Sequence, residues 1–186
     1  MSGLAASQAQ ASVIALTACD GSTLTQPFLP WADSSPYKLV PGGDFEGPLT
    51  GWSLSPSAAV VAGSEPAGVT GSVGSSSLSL PAGASAQSAT TCVDAAYPAF
   101  RFFARTDRPG SILAVSAVYQ TLLGPTAVPV GLVTLSPNWT PTLPMLTASV
   151  VGGLLTNGTA PLALRFTELT GTSQVDDVFV DPHTMH

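Results

Sequence analysis

Hydrophobic and polar residues alternate along most of this chain with a period of two, the spacing of a strand that buries one face. Leu78 and Leu80 alternate with serines ahead of a Pro-Ala-Gly turn, and Phe100, Phe102 and Ala104 alternate with Arg101, Phe103 and Arg105. Leu113, Val115, Ala117 and Tyr119 form the next set, stopped by Leu123-Gly124-Pro125, and Val128, Val130, Leu132 and Thr134 follow. Leu162, Leu164 and Phe166 alternate with Ala163, Arg165 and Thr167, and a last strand runs from Gln174 to Val180. No window of about a dozen residues keeps helical periodicity without a Gly or Pro inside it. With the weaker runs counted, the pattern predicts about eight to ten turn-separated strands, an all-β antiparallel sandwich of jelly-roll type.

Three other stretches frame this domain, which is expected over 44–182. Residues 1–18 read as a leader or signal remnant, and 183–186 as a tail. Between leader and domain, 19–43 carries Pro27, Pro30, Pro36 and Pro41 among Phe28, Leu29, Trp31 and Tyr37. It has neither helical nor strand period, which predicts an extended segment with its aromatic side chains pinned onto the sandwich. The Gly/Ser-rich stretch from Ala62 to Ser88 reads as turns and edge strands, because Val69, Val73, Leu78 and Leu80 punctuate it.

Composition narrows the function classes. Charged residues make up 9% of the chain, against about 25% on average, and a helical protein in water would need more. The net charge is −6 with five basic residues, too few for the cationic surface that a nucleic-acid binder requires. No apolar run approaches the length of about 18 residues that spans a bilayer.

Cys19 and Cys92 are the two cysteines. Ala9-Gln10-Ala11 has the small-x-small form of a signal cleavage site, although no Lys or Arg precedes it. Export places both thiols in an oxidising compartment and predicts a Cys19–Cys92 disulfide, worth about 4 kcal/mol in the chain-entropy model. Leu16-Thr17-Ala18-Cys19 also fits the pattern preceding a lipidated cysteine, and two unrelated thiols are the third reading. Every export reading puts the protein outside the cell, secreted or on the cell surface.

Two short segments near the ends of the domain carry a resemblance. Gly42-Gly43-Asp44-Phe45-Glu46-Gly47, followed by Gly51-Trp52, and Val175-Asp176-Asp177-Val178-Phe179-Val180-Asp181 together resemble the opening and closing strands of calcium-containing jelly-roll carbohydrate-binding modules. Those modules open on "FE…GW" and finish on "DDV". A Leu-x-Leu strand at Leu78, an aromatic-x-aromatic strand at Phe100 and a Trp strand at Trp139 agree in order, so the resemblance covers Gly42 to Asp181. The run "QPFLPWADSSPYKLVPGGDFE" with "FRFFAR" is also similar to a group of secreted bacterial proteins with no assigned activity. The carbohydrate-module resemblance implies a structural calcium held by Glu46 and by Asp176 or Asp177, with Asp44 as an extra ligand. Carboxylates converging where the first and last strands meet would repel without a hard cation. The alternative is that these acids are solvated turn residues or pair with arginine.

Catalysis is disfavoured. The two histidines, His183 and His186, lie in the tail, so a Ser-His-Asp triad has no base within the domain. Lys38 is the only lysine, and no His/Cys cluster has zinc-ligand spacing. A glycosidase-type carboxylate pair from Asp44, Glu46, Asp176 or Asp177 is formally available, but the calcium reading uses the same residues. Asn138-Trp139-Thr140 and Asn157-Gly158-Thr159 match the glycosylation pattern, a coincidence if the protein is bacterial as the resemblance implies. For binding, strand parity turns Arg101, Phe103 and Arg105 away from the core, and Arg165 on a later strand is expected to share their face. Arginine and aromatic groups suit sugar stacking and carboxylate capture; the competing reading pairs these arginines with cross-strand acids and puts Phe103 under a loop. Trp52 and Trp139 are expected in the core, and Trp31 is the most exposed aromatic. The sequence thus predicts a secreted non-catalytic binding module for polysaccharide with a structural calcium, or alternatively an extracellular protein that assembles with copies of itself.

Overall fold

Period-two alternation produces strands wherever it is sustained. The computed structural model describes residues 23–94, 98–121, 124–147 and 159–182. Among them thirteen strands run β1 (Lys38–Leu39), β2 (Ser53–Leu54), β3 (Ala59–Ala62), β4 (Ser76–Pro81), β5 (Ser85–Gln87), β6 (Thr91–Asp94) and β7 (Ala99–Thr106). They continue with β8 (Ile112–Thr121), β9 (Gly124–Thr134), β10 (Thr140–Pro141), β11 (Met145–Leu146), β12 (Thr159–Glu168) and β13 (Thr172–Asp181). Four of these, β1, β2, β10 and β11, are two-residue contacts, so nine strands are long enough to carry a readable period.

The strands form two antiparallel sheets. Sheet one has the order β10-β7-β13-β4-β3, with β1 also pairing β13 and β11 pairing β7. Sheet two runs β2-β5-β12-β8-β9, with β6 also pairing β12. The expected inward residues fill the space between the sheets: Leu78, Leu80, Phe100, Phe102, Ala104, Leu113, Val115, Ala117, Leu162, Leu164 and Phe166 belong to one buried cluster. Phe102 meets Phe166 edge-on across the sandwich at 5.1 Å between ring centroids.

The "FE…GW" segment is explained by packing. Phe45 is buried and lies 5.0 Å from Trp52, which stacks on Phe166 at 6.5 Å and donates from Nε1 to the Pro41 carbonyl. Gly43 permits the crossing with β13, because a Cβ there would stand 2.9 Å from the Val40 carbonyl oxygen and 3.0 Å from that of Val178.

Alternation on β9 does not hold as the sequence suggests. A bulge shifts the β8–β9 register between Val115 and Ser116, so Val115 faces Gly131 while Ser116 faces Pro129. The extra residue switches the inward parity from Val128 to Val133. Leu132, expected inside, is 66% exposed.

The Pro-rich segment does more than cross the surface. A bridge between Thr25 and Tyr37 closes it into a strap, and its last residues enter sheet one as β1. Phe28 and Tyr37 are fully buried against Phe103 and Phe179, forming a second apolar cluster on the outer face of sheet one. Leu39, Val69 and Trp139 pack around it. Trp52 packs against the main core, and Trp31, at 39% exposed, is the most open of the three tryptophans.

Candidate functional site

Strand parity turns Arg101, Phe103 and Arg105 outward on β7, but the strap covers two of them. Arg101 donates from Nη1 to Asp33 Oδ2 at 2.7 Å and from Nε to the Thr142 carbonyl at 2.7 Å. Its guanidinium lies 4.2 Å from the centroid of the Phe28 ring. Phe103 stacks on Phe28 and meets Trp31 edge-on at 5.3 Å. Burial alone would raise the Asp33 carboxyl, yet hydrogen bonds from Arg101, the Ser35 N–H and Tyr37 outweigh it and hold that carboxyl below its ordinary range.

Arg105 escapes the strap. Its Nε donates to Gln174 Oε1 at 2.6 Å, and its guanidinium lies 5.1 Å from the half-buried Trp139 ring. An open groove of about 310 Å³ runs past it, lined by Ser79, Thr106, Asp107, Thr172 and Gln174. Guanidinium, amide, carboxylate and hydroxyl groups together suit a polyhydroxylated ring, since they pair with vicinal hydroxyls.

Arg165 is not part of this face. It stands on β12 in sheet two, exposed, and bonds to Gln87. The four residues expected to share a surface therefore divide three ways: Arg101 and Phe103 are sealed, Arg105 lines a groove, and Arg165 is on the opposite sheet.

The acids divide as well. Glu46 is exposed and anchors the 74–76 loop, accepting from the Ser75 N–H, the Ser75 hydroxyl and the Ser76 N–H. Those bonds, the Ser75 hydroxyl first, lower its carboxyl below the usual value. Glycine at position 74 leaves room for this contact, since a Cβ there would stand 2.5 Å from Glu46 Oε1 and 2.8 Å from Ser64 Oγ and would displace those side-chain tips. Asp44 caps its own turn, weakly accepting from the Glu46 N–H at 3.4 Å.

Asp176 and Asp177 lie deeper, at a bulge in β13 where Asp177 takes a left-handed φ of 46°. Asp176 accepts from the Ser64 hydroxyl and the Glu65 N–H on Oδ2 and from the Asp177 N–H on Oδ1. Desolvation nevertheless pushes its carboxyl up to about 6. Desolvation, with the neighbouring charges of Asp176 and Glu65, pushes Asp177 up to about 8. Glu65, fully buried, closes the group and accepts from the N–H groups of Ala67, Gly68 and Val69. The sequence reading missed Glu65, whose one local signal is an acid immediately before Pro66 in a turn-rich stretch. Among the described residues, no three His, Cys, Asp or Glu side chains are grouped to hold a metal ion. Asp176 and Glu65 are aimed at N–H and O–H donors, and the Asp177 side chain hydrogen-bonds Glu65.

Cys92 is half-buried on β6, and Cys19 lies outside the described residues, as do the leader, His183, His186 and Asn157. Among the described residues no helix is long and apolar enough to cross a membrane.

No protein-family model matches this chain, and no curated protein matches it significantly. Solved structures do. The CBM22-1 xylan-binding domain from Paenibacillus barcinonensis Xyn10C superposes with a TM-score of 0.51 at 12% identity, over 77% of this chain and 94% of that one. The CBM22-1–GH10 modules of Clostridium thermocellum endo-1,4-beta-D-xylanase 10B, complexed with xylohexaose, give a TM-score of 0.53 at 14% identity. The likeness is one of fold. It establishes the jelly-roll sandwich and covers 76% of this chain, which spans only 28% of that longer xylanase.

Proposed function

We propose that this protein is an extracellular, non-catalytic carbohydrate-binding module whose sugar site is the groove beside Arg105. One observation carries the reading. The Arg105 guanidinium, fixed by Gln174 and lying against Trp139, opens onto a polar groove that the strap leaves uncovered. The fold shared with a xylan-binding domain supports it, since one protein of that architecture binds a polysaccharide. Export and the Cys19–Cys92 disulfide belong to the same proposal; two free thiols in denatured, non-reduced protein would overturn the pairing.

The test is migration in native gels cast with a panel of soluble polysaccharides, for the wild type, Arg105→Ala and Trp139→Ala. Retardation of the wild type by one glycan, lost in Arg105→Ala and weakened in Trp139→Ala, is the expected result. Free migration of the folded wild type through the whole panel would overturn the reading.

A structural calcium held by Glu46 and by Asp176 or Asp177, with Asp44 as an extra ligand, is part of the proposal, because a hard cation would relieve the repulsion of converging carboxylates. Binding there requires the carboxylates to turn from the donors they now face. A second reading, self-association, is favoured by an open apolar groove of about 310 Å³ lined by Leu132, Leu143 and Met145, with Leu143 82% exposed. Light scattering that gives a monomer at high concentration would end that reading.

A further inference from the structure

Arg165 sits in a setting unlike that of any other arginine described above. On sheet two it shares a row with Gln87 and Ser53, since Arg165 faces Gln87 in the β12–β5 register and Gln87 faces Ser53 in the β5–β2 register. One step along the same face, Thr167 faces Ser85, whose carbonyl accepts from the Ser55 N–H. Six polar side chains thus form a grid of two rows across three strands. Strand spacing and pleat give it dimensions of about 10 by 7 Å, the footprint of one pyranose ring. The grid floors an open groove of about 390 Å³, and Gly83 at its edge adds no side chain.

Donors dominate this surface. Arg165 directs Nε (3.3 Å) and Nη2 (2.8 Å) at one neutral acceptor, Gln87 Oε1, so its positive charge is oriented without being compensated. The amide nitrogen of Gln87 is turned the other way. Ser55 Oγ accepts from the Ser85 N–H and keeps its own proton to donate. Among the described residues no carboxylate lines the groove, in a chain that carries eleven acids against five bases. The Arg105 groove differs on this point, because Asp107 is in its wall.

We propose that this grid is a second binding site, for a sugar that carries a carboxylate. One oriented guanidinium matches one carboxylate through paired charge-assisted hydrogen bonds, and the hydroxyl and amide groups around it match ring hydroxyls. Among the described residues no aromatic ring lines the groove, so a neutral sugar would gain no stacking from them, and the anionic group supplies the discrimination. A doubly charged phosphate would need a second cation that the groove does not have. The site is on the sheet opposite the Arg105 groove and does not depend on it.

The test is a titration of the isotopically labelled full chain with galacturonate oligomers, followed by NMR through the Arg165 Nε–H and Gln87 side-chain amide signals. Methyl-esterified oligomers of the same length and inorganic phosphate are run in parallel. The expected result is a saturable shift of those two signals with the acidic oligomer alone, weakened about tenfold or more in Arg165→Gln and unchanged in Arg105→Ala. Arg165 is exposed, so Arg165→Gln is expected to fold, and its amide spectrum checks this. An equal response to the methyl-esterified oligomer, a response to phosphate as strong as to the sugar acid, or no shift at all would each overturn the proposal. Loss in Arg105→Ala with retention in Arg165→Gln would place acidic sugar in the first groove instead and leave the reading under Proposed function standing.

Discussion

Arg101 and Asp33, 68 residues apart in the chain, meet at 2.7 Å beneath the strap, with side-chain exposures of 4% and 14%. The pair joins the N-terminal segment to β7 in the middle of an aromatic cluster. Removing one partner leaves the other buried without compensation, which costs about 3 kcal/mol or more. Asp33→Asn is therefore expected to lower the urea midpoint markedly at unchanged m-value. A double change to Asp33→Leu with Arg101→Met should recover most of the loss, because no charge is then stranded. A double variant as unstable as either single one would mean that the bonds themselves, and not the burial of a lone charge, set the cost.

The acid cluster predicts an inverse dependence of stability on pH. Asp176 and Asp177 hold protons more tightly in the folded chain, at about 6 and about 8 against an ordinary 3.8. The folded state keeps protons that the unfolded chain has released, so stability falls as pH rises from about 4 to about 8 and then levels off. Asp33 acts in the opposite sense, its contribution fading only as pH drops through its lowered folded value. Melting temperatures in chelator across this range should decline, and Asp177→Asn should flatten the decline. Calcium should raise the melting temperature at pH 8 and much less at pH 5; a calcium effect absent at both would remove the metal from the proposal.

Gly43 tests the start of the domain. A Cβ there meets two backbone carbonyls at 2.9 and 3.0 Å, and neither can move without disturbing β1 or β13. Gly43→Ala is expected to cost about 1–3 kcal/mol. Gly47→Ala, where a Cβ would meet nothing within 4 Å, should be close to neutral in the same unfolding assay. Equal effects at the two sites would contradict the close approach to β13.

The β9 bulge makes a prediction of its own. Leu132→Ser should change stability by less than about 0.5 kcal/mol, as for an ordinary surface position. Leu113→Ala, on the partner strand and fully buried, should cost about 2–5 kcal/mol. A Leu132→Ser loss near the core value would mean that the alternation runs unbroken through β9.

These contrasts show what the sequence makes legible. Inward parity on β4, β7, β8 and β12 is readable because alternation lasts several residues and names one face of each strand. It names no sheet, so Arg101 and Arg165 look alike in sequence yet stand on opposite sheets. The bulge in β9 leaves no compositional mark, and Leu132 keeps the spacing of a core residue while facing water. The strap has no period at all. Its prolines announce an extended path but not that Phe28 would lie on Phe103, and so the outward face of β7 looks open when it is covered. Glu65 was missed for a similar reason, because an acid in a turn-rich stretch reads as solvated until the fold brings β13 alongside.

The position of β13 also governs the order in which the molecule can be completed. The last of the described strands, β13, lies between β7 and β4 and also receives β1, so sheet one has no centre until residues 172–181 are available. Pairings between residues far apart in the chain close slowly, since the loop entropy is lost before the contacts form. A growing chain therefore holds the aromatic residues of sheet one uncovered until β13 is made, and loss of residues 172–181 would remove the middle of a sheet, not its border.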